Sequence, residues 1–292
     1  MYLIILMWLL NFVLSIFDKQ SSNEVKGTAE AVKYSIIRSL FSTIFAWIVF
    51  FVEGKEWVTN IQTFVCSVVF GILMTIDLIN YLFLAKTGMI ALMSISNQAA
   101  ALIIPSIAGA VLWSIPVSPL QWVFVITLLV SAYLLCSSSK AMYTGFSVST
   151  VIMLLIRFMV GGFITLTMQA FSKVDGGVTS LFLLLAYIVS TAVLVVVFGV
   201  LKKEKTTEKK RTPSSLMVCG AVSALCIFLS QICTTKALTY IPPVIFTSCS
   251  AVGVITMSAI AGVLFYQEKL TRKSVFGIVG ACISVVIINI LE

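Results

Sequence analysis

The sequence has no histidine and few charged residues, and these two shortages limit its chemistry. Only 10% of its 292 residues are Asp, Glu, Lys or Arg, against about 25% in an average soluble protein. Without histidine the chain lacks the commonest metal ligand and the commonest general acid or base. We therefore expect no metal site, no cofactor and no enzymatic activity.

The cysteines are also poorly placed for metal binding. None of the seven lies in a Cys-x-x-Cys spacing, and all fall inside apolar runs. Cys219, Cys226 and Cys233 recur at every seventh residue, which places them on one face of a helix. A buried thiol behaves as a small hydrophobic group. We interpret these residues as packing residues and expect neither a disulfide framework nor a zinc site.

Apolar residues are abundant, at 60% of the chain, and the mean hydropathy is +1.12. They are grouped in runs of about 20 residues, the length that crosses a bilayer. Backbone groups in lipid must be hydrogen-bonded within their own segment, so each run is expected to be a helix. The sequence predicts an all-α, multi-pass integral protein of the cell membrane. Its predicted helices are at about 2–17, 31–52, 62–85, 89–113, 121–138, 148–171, 178–201, 214–236, 243–266 and 274–291.

The positive charges lie mostly in the short connections, which argues against nucleic-acid binding despite a net charge of +8. One side of the predicted membrane protein carries thirteen Lys and Arg residues and the other side three. We call the first the basic side; the positive-inside rule places it in the cytoplasm and both termini outside. Its members are Lys19, Lys26, Lys86, Lys140, Lys202, Lys203, Lys205, Lys209, Lys210, Arg211, Lys269, Arg272 and Lys273.

The ten predicted helices divide into two sets of five, at 1–138 and 148–292. The segment IAGAVLW at 107–113 matches IAGVLFY at 260–266, a shift of 153 residues. Because five is odd, the second set must be inverted across the membrane relative to the first. Inverted repeats build many secondary transporters, whose substrate site lies between the repeats.

The turn Glu-Lys-Leu-Thr at 268–271, followed by Gly277 in an apolar run, resembles the last hairpin of EamA-type members of the drug/metabolite transporter superfamily. Trp8 and Asn11 match a Trp-x-x-Asn feature that the family often shows in its first helix. The resemblance implies a ten-helix transporter with both termini in the cytoplasm, opposite to the charge count. The first half has Ile115 at the position of Glu268 and so lacks the family's acid.

Two charged residues lie deep inside predicted helices, where charge is costly and usually functional. They are Asp77, with Asn80 and Tyr81 one turn later, and Arg157. The resemblance places both helices beside the central cavity. The two residues could form a structural ion pair between the halves, bind opposite charges of a zwitterionic substrate, or use Asp77 as a proton carrier. Among acids, only Asp77 and Glu268 are expected near enough to the helices for that last role, and Arg38 is expected near the membrane interface.

Other polar side chains in the helices could line a cavity or hold helices together. The predicted substrate-binding set comprises Asp77, Arg157, Trp8, Asn11, Asn80, Tyr81, Asn97, Gln98, Gln169 and Gln231. Gly161 and Gly162 are interpreted as a point of close helix approach.

The sequence and the resemblance together predict a secondary active transporter that works by alternating access. Its expected cargo is a small metabolite, amino-acid-like or amphipathic compound, and the expected direction is export. The expected assembly in the lipid bilayer is a monomer or homodimer. The alternatives are a flippase for a lipid or lipid-linked sugar, which needs a lateral opening, and a scaffold subunit that transports nothing.

Overall fold

A computed structural model describes residues 2–25, 28–57, 60–85, 90–114, 148–204, 214–241 and 243–266, with isolated positions elsewhere. Within this part of the chain all regular secondary structure is α-helical. The helices are α1 (Tyr2–Glu24), α2 (Thr28–Val52), α3 (Ile61–Ala85), α4 (Ile90–Trp113), α5 (Val148–Ser172), α6 (Thr179–Glu204), α7 (Ser214–Leu238) and α8 (Pro243–Tyr266).

The helix bounds follow the predicted apolar runs to within about three residues, with one exception. The first helix was predicted to end at residue 17, and α1 continues to Glu24. The predicted helices at 121–138 and 274–291 lie outside the described residues, apart from isolated positions, as does the Glu-Lys-Leu-Thr turn. The count of ten helices therefore stays a prediction.

Five of these helices contain apolar spans long enough to cross a bilayer. The spans are Glu30–Val52, Ile61–Tyr81, Val151–Ser172, Thr179–Val200 and Ser214–Leu238. Large apolar side chains also cover the outer helix faces, among them Ile48 on α2 and Val196 on α6, which are 52% and 66% exposed. A soluble protein rarely exposes so much apolar surface, and contact with lipid explains it.

The helix contacts of the first half resemble those of the second half. If α1, α2, α3 and α4 are exchanged with α5, α6, α7 and α8 in that order, each main packed pair becomes another packed pair or itself. The packing of α1 on α7 corresponds to that of α5 on α3, and α1 on α8 corresponds to α5 on α4. Likewise α2 on α7 corresponds to α6 on α3, while the pairs α2–α6 and α4–α8 map onto themselves. Among the described helices, every extensive contact therefore joins one of α1–α4 to one of α5–α8.

An aromatic core fills the half of the helix bundle away from the basic side. It consists of Phe70, Phe171, Phe182, Tyr187 and Phe228, all of which are buried. The rings of Phe171 and Phe182 stack with centroids 4.2 Å apart, and Phe70 lies 5.2 Å from Phe182. Phe171 and Phe182 flank the connection between α5 and α6, so this core closes the bundle near that end.

Two packing interpretations from the sequence are confirmed. Cys219, Cys226 and Cys233 are all buried on α7. Gly161 and Gly162 lie where α5 meets α4, since a Cβ atom on either would collide with the side chain of Asn97 or Ile104. Small residues allow such close contact between membrane helices.

Candidate functional site

Asp77 on α3 and Arg157 on α5 form an ion pair between the two halves of the chain. Arg157 Nη1 lies 2.9 Å from Asp77 Oδ1 and also donates to the Asp77 backbone carbonyl at 3.4 Å. The Arg157 guanidinium stacks over the Tyr81 ring, with Cζ 5.2 Å from its centroid. Side-chain exposure is 9% for Arg157 and 22% for Asp77. A charge-assisted hydrogen bond and a cation–π contact thus fix the same guanidinium.

Asn80 adds a polar group one helical turn from this pair. Its Nδ2 donates to the Met153 carbonyl on α5 at 2.9 Å. Its Oδ1 is buried and accepts no hydrogen bond from the described residues. Asp77, Asn80, Tyr81 and Arg157, all predicted from the sequence, therefore meet at one interface between α3 and α5. An unused buried acceptor is unusual in a native protein and is available to a ligand.

A second ion pair lies between α1 and α2, where the sequence interpretation was wrong. Asp18 lies within α1, and Arg38 Nη1 is 3.2 Å from its Oδ1 and 3.3 Å from its Oδ2. Ser223 on α7 donates to Asp18 Oδ1 at 3.0 Å, and the Tyr34 hydroxyl lies 3.4 Å from the same oxygen. The carboxylate is therefore satisfied inside the bundle.

This arrangement corrects one expectation. Asp77 and Glu268 are not the only acids near the helices, because Asp18 belongs to α1. Arg38 is only 7% exposed and is paired inside the bundle with Asp18, which Ser223 on α7 also contacts. The first helix can continue past residue 17 because Arg38 compensates the negative charge of Asp18. One sign of this pairing was available in the sequence: the apolar run 31–52, which contains Arg38, has no acidic residue that could neutralise it.

The two ion pairs lie at similar depth, and we call Asp18, Arg38, Asp77 and Arg157 the polar layer. At 1.5 Å per residue, each lies roughly 9–15 Å from the end of its helix on the basic side. The Tyr81 hydroxyl is within electrostatic reach of Asp18 and Arg38 as well as Arg157. The four charged residues of the polar layer therefore lie in the half of the bundle nearer the basic side.

The remaining predicted residues are dispersed. Asn11 donates to Ser230 Oγ on α7 at 3.2 Å. Trp8 packs against Gly253 on α8, and its buried Nε1 has no hydrogen-bond partner within the described part of the chain. Asn97 contacts Gly161, one turn from Arg157. These three serve helix contacts rather than the polar layer.

Neither predicted glutamine on α5 or α7 is placed with the ion pairs. Gln169 is buried near the opposite end of α5, with no hydrogen bond to its amide group from the described residues. Gln231 is half-buried on α7. The Gln98 side chain lies outside the described residues.

A third ion pair joins the halves at the end of the bundle away from the basic side. Lys236 Nζ lies 3.7 Å from Glu53 Oε1, and Ser180 Oγ donates to Glu53 Oε2 at 2.5 Å. Side-chain exposure is 48% for Lys236 and 29% for Glu53. Its exposure makes this pair a weak one and a useful reference for the two buried pairs.

Comparison with known proteins agrees with this geometry. No curated protein matches the sequence. One solved crystal structure, described only as that of a protein, aligns over 100% of this chain and 99% of its own, with a TM-score of 0.78 and 10% identity. At that identity the likeness concerns the fold alone. Residues 148–290 match the EamA-like transporter family. Over these residues the chain is similar to EamA-like transporters, and together with its five apolar spans this similarity indicates a membrane protein.

Proposed function

We propose that this protein is a secondary active transporter of the cell membrane that moves a small amino-acid-like compound by alternating access. The observation that carries the proposal is the buried Asp77–Arg157 pair, which joins the two halves at 2.9 Å within the bundle. Ionisable side chains inside a membrane protein mark substrate or ion pathways. A pair that spans two moving halves must separate when they separate.

The packing supports two inverted five-helix repeats, residues 1–138 and 148–292. The correspondence of contacts between α1–α4 and α5–α8 is the pattern that a two-fold repeat produces. In such transporters the repeats rock about a site near the middle of the bilayer. The Asp77–Arg157 pair of the polar layer lies between the two sets of helices, which is where such a site is expected.

The charges of the polar layer favour a zwitterionic substrate. Asp77 offers a negative group and Arg157 a positive group at the same interface, with the unused Asn80 carbonyl oxygen beside them. An ammonium group could replace Arg157 beside Asp77, and a carboxylate could bind a guanidinium of the polar layer. We assign Asp77 to substrate binding rather than to proton transport, because Arg157 already neutralises it at hydrogen-bond distance.

The position of the polar layer favours export. It lies nearer the basic side, whereas the aromatic core fills the other half of the bundle. If the positive-inside rule holds, the polar layer is loaded from the cytoplasm. The packed half must then open for release.

A counterflow experiment tests this function. Proteoliposomes loaded with unlabelled amino acids should accumulate at least one labelled amino acid supplied outside. Asp77→Asn and Arg157→Gln should each reduce the initial rate about tenfold or more, because loss of one charged contact weakens binding by that order. Glu53→Gln, which removes the exposed pair, should keep at least about half of the wild-type rate.

The outcome separates the alternatives. Equal rates for wild type and both variants would remove the pair from the substrate site. Absence of counterflow together with scrambling of a fluorescent phospholipid would favour a flippase. Absence of both activities in a folded protein would favour a scaffold subunit.

A further inference from the structure

Arg38 has more hydrogen-bond donors than the described residues use. A guanidinium carries five N–H groups, and Arg38 bonds only through Nη1, to the two carboxylate oxygens of Asp18. Its Nε and Nη2 make no hydrogen bond within the described part of the chain. At 7% exposure this is a deeply buried cation with one edge unoccupied.

A small cavity lies beside Arg38 and contains a second unused donor. Its volume is about 10 Å³, roughly the space that one water or one ligand oxygen occupies. Tyr187, 3% exposed, lines it, and its hydroxyl has no hydrogen-bond partner among the described residues, although Ser42 lies close. Ser39 and Ser190 complete the polar wall. A buried hydroxyl without an acceptor is destabilising, and an entering oxygen would satisfy it.

The other wall of the cavity is apolar and joins both halves of the chain. Met74 and Leu78 come from α3 and Ile227 from α7, opposite the polar wall of α2 and α6. An aliphatic group beside the entering oxygen would contact these three side chains. Room for it requires one of them to move, as separation of α3 from α7 would allow.

The charges of Asp18 and Arg38 determine which kind of ligand oxygen can bind in the cavity. Asp18 already neutralises Arg38, so a ligand with an additional net negative charge would be repelled by Asp18. The carboxylate of a zwitterion avoids this penalty, because its ammonium group accompanies it into the polar layer.

We propose that this cavity is the carboxylate subsite for an amino-acid substrate with an aliphatic side chain. Arg38 and the Tyr187 hydroxyl donate to the carboxylate, and Met74, Leu78 and Ile227 contact the aliphatic part. The proposal rests on the transporter function above and assigns carboxylate recognition to Arg38, a residue that the sequence did not nominate.

Calorimetric titration of the full-length protein in detergent, with leucine and leucinamide as probes, tests the subsite. Leucinamide keeps the ammonium and the side chain but lacks the carboxylate. Wild type should bind leucine about tenfold or more tightly than leucinamide, the value of one hydrogen bond to a charged group. Tyr187→Phe should weaken leucine binding about tenfold and change leucinamide binding by less than about twofold.

Two further variants complete the design. Asp18→Asn combined with Arg38→Gln removes both buried charges together, so that the protein can fold, and should abolish the preference for leucine. Ser248→Ala removes another buried hydroxyl that has no partner among the residues the structure describes and does not line the cavity. This variant should bind both probes as wild type does. Thermal unfolding without ligand establishes that each variant is folded.

The subsite is wrong if leucinamide binds wild type as tightly as leucine, if Tyr187→Phe leaves leucine affinity unchanged, or if neither probe binds. Counterflow distinguishes these results from failure of the transporter proposal. If another amino acid still exchanges, the transporter function stands without this subsite. If none exchanges, both proposals fail.

Discussion

Replacing Arg157 by glutamine is expected to lower the free energy of unfolding by about 3–5 kcal/mol, the usual effect of removing one partner of a buried ion pair. Asp77 would lose its hydrogen bond at 2.9 Å and keep its charge in a largely buried position. Tyr81 would lose the guanidinium that covers its ring. Equilibrium unfolding of the purified protein in mixed micelles, followed by circular dichroism, measures the change.

The double variant Asp77→Asn, Arg157→Gln separates the charge from the contact. It removes both charges of the pair together, and neutral replacements of buried ion pairs are often tolerated. We expect it to recover more than half of the stability lost in Arg157→Gln. Lys236→Met provides the reference, because loss of the exposed Glu53 pair should change stability by about 1 kcal/mol or less. A double variant as unstable as Arg157→Gln would show that local packing, not charge, dominates.

Gly162→Ala is expected to destabilise the protein by about 1–3 kcal/mol, the range for overpacking. The added Cβ would lie 2.7 Å from the Cβ of Ile104. That atom is attached directly to the backbone of α4, so rotation of the Ile104 side chain cannot relieve the contact. The helices α4 and α5 must move apart. The expected loss is opposite to intrinsic preference, because alanine favours a helix over glycine by about 1 kcal/mol.

Gly199→Ala on α6 is the matched control. Nothing lies within 4 Å of a Cβ at that position, so only helix preference acts, and stability should be unchanged or rise by up to about 1 kcal/mol. Ile104→Ala in the Gly162→Ala background should restore part of the loss, which a double-mutant cycle quantifies. If Gly162→Ala behaves like Gly199→Ala, the close approach of α4 and α5 is not a determinant of stability.

The sequence was a reliable guide where membrane physics is simple. Apolar runs predict helices because the bilayer leaves the backbone no other partner, and the bounds of α7 and α8 followed directly from them. Asp77 and Arg157 were recognisable because depth alone makes a charge unusual. Each could be recognised separately, although 80 residues separate them in the sequence.

Asp18 was missed because a charge at the end of an apolar run looks like the start of a loop. Only its tertiary partner, Arg38 on the next helix, shows that the helix continues. The cavity beside Arg38 also had no local signal, since its wall combines side chains from α2, α3, α6 and α7. A site built by four helices of two halves depends on packing that one-dimensional periodicity does not contain.

The different spacing of the two buried ion pairs has a consequence for synthesis of the chain. Asp18 and Arg38 lie 20 residues apart on consecutive helices, so the pair can form as soon as one hairpin has left the ribosome. Asp77 lies 80 residues before Arg157 and must enter the bilayer uncompensated, at about 2.5–3.5 kcal/mol on insertion scales. The third helix therefore gains its stable position only when the second half arrives, and that late arrival makes the first half dependent on the second during biogenesis.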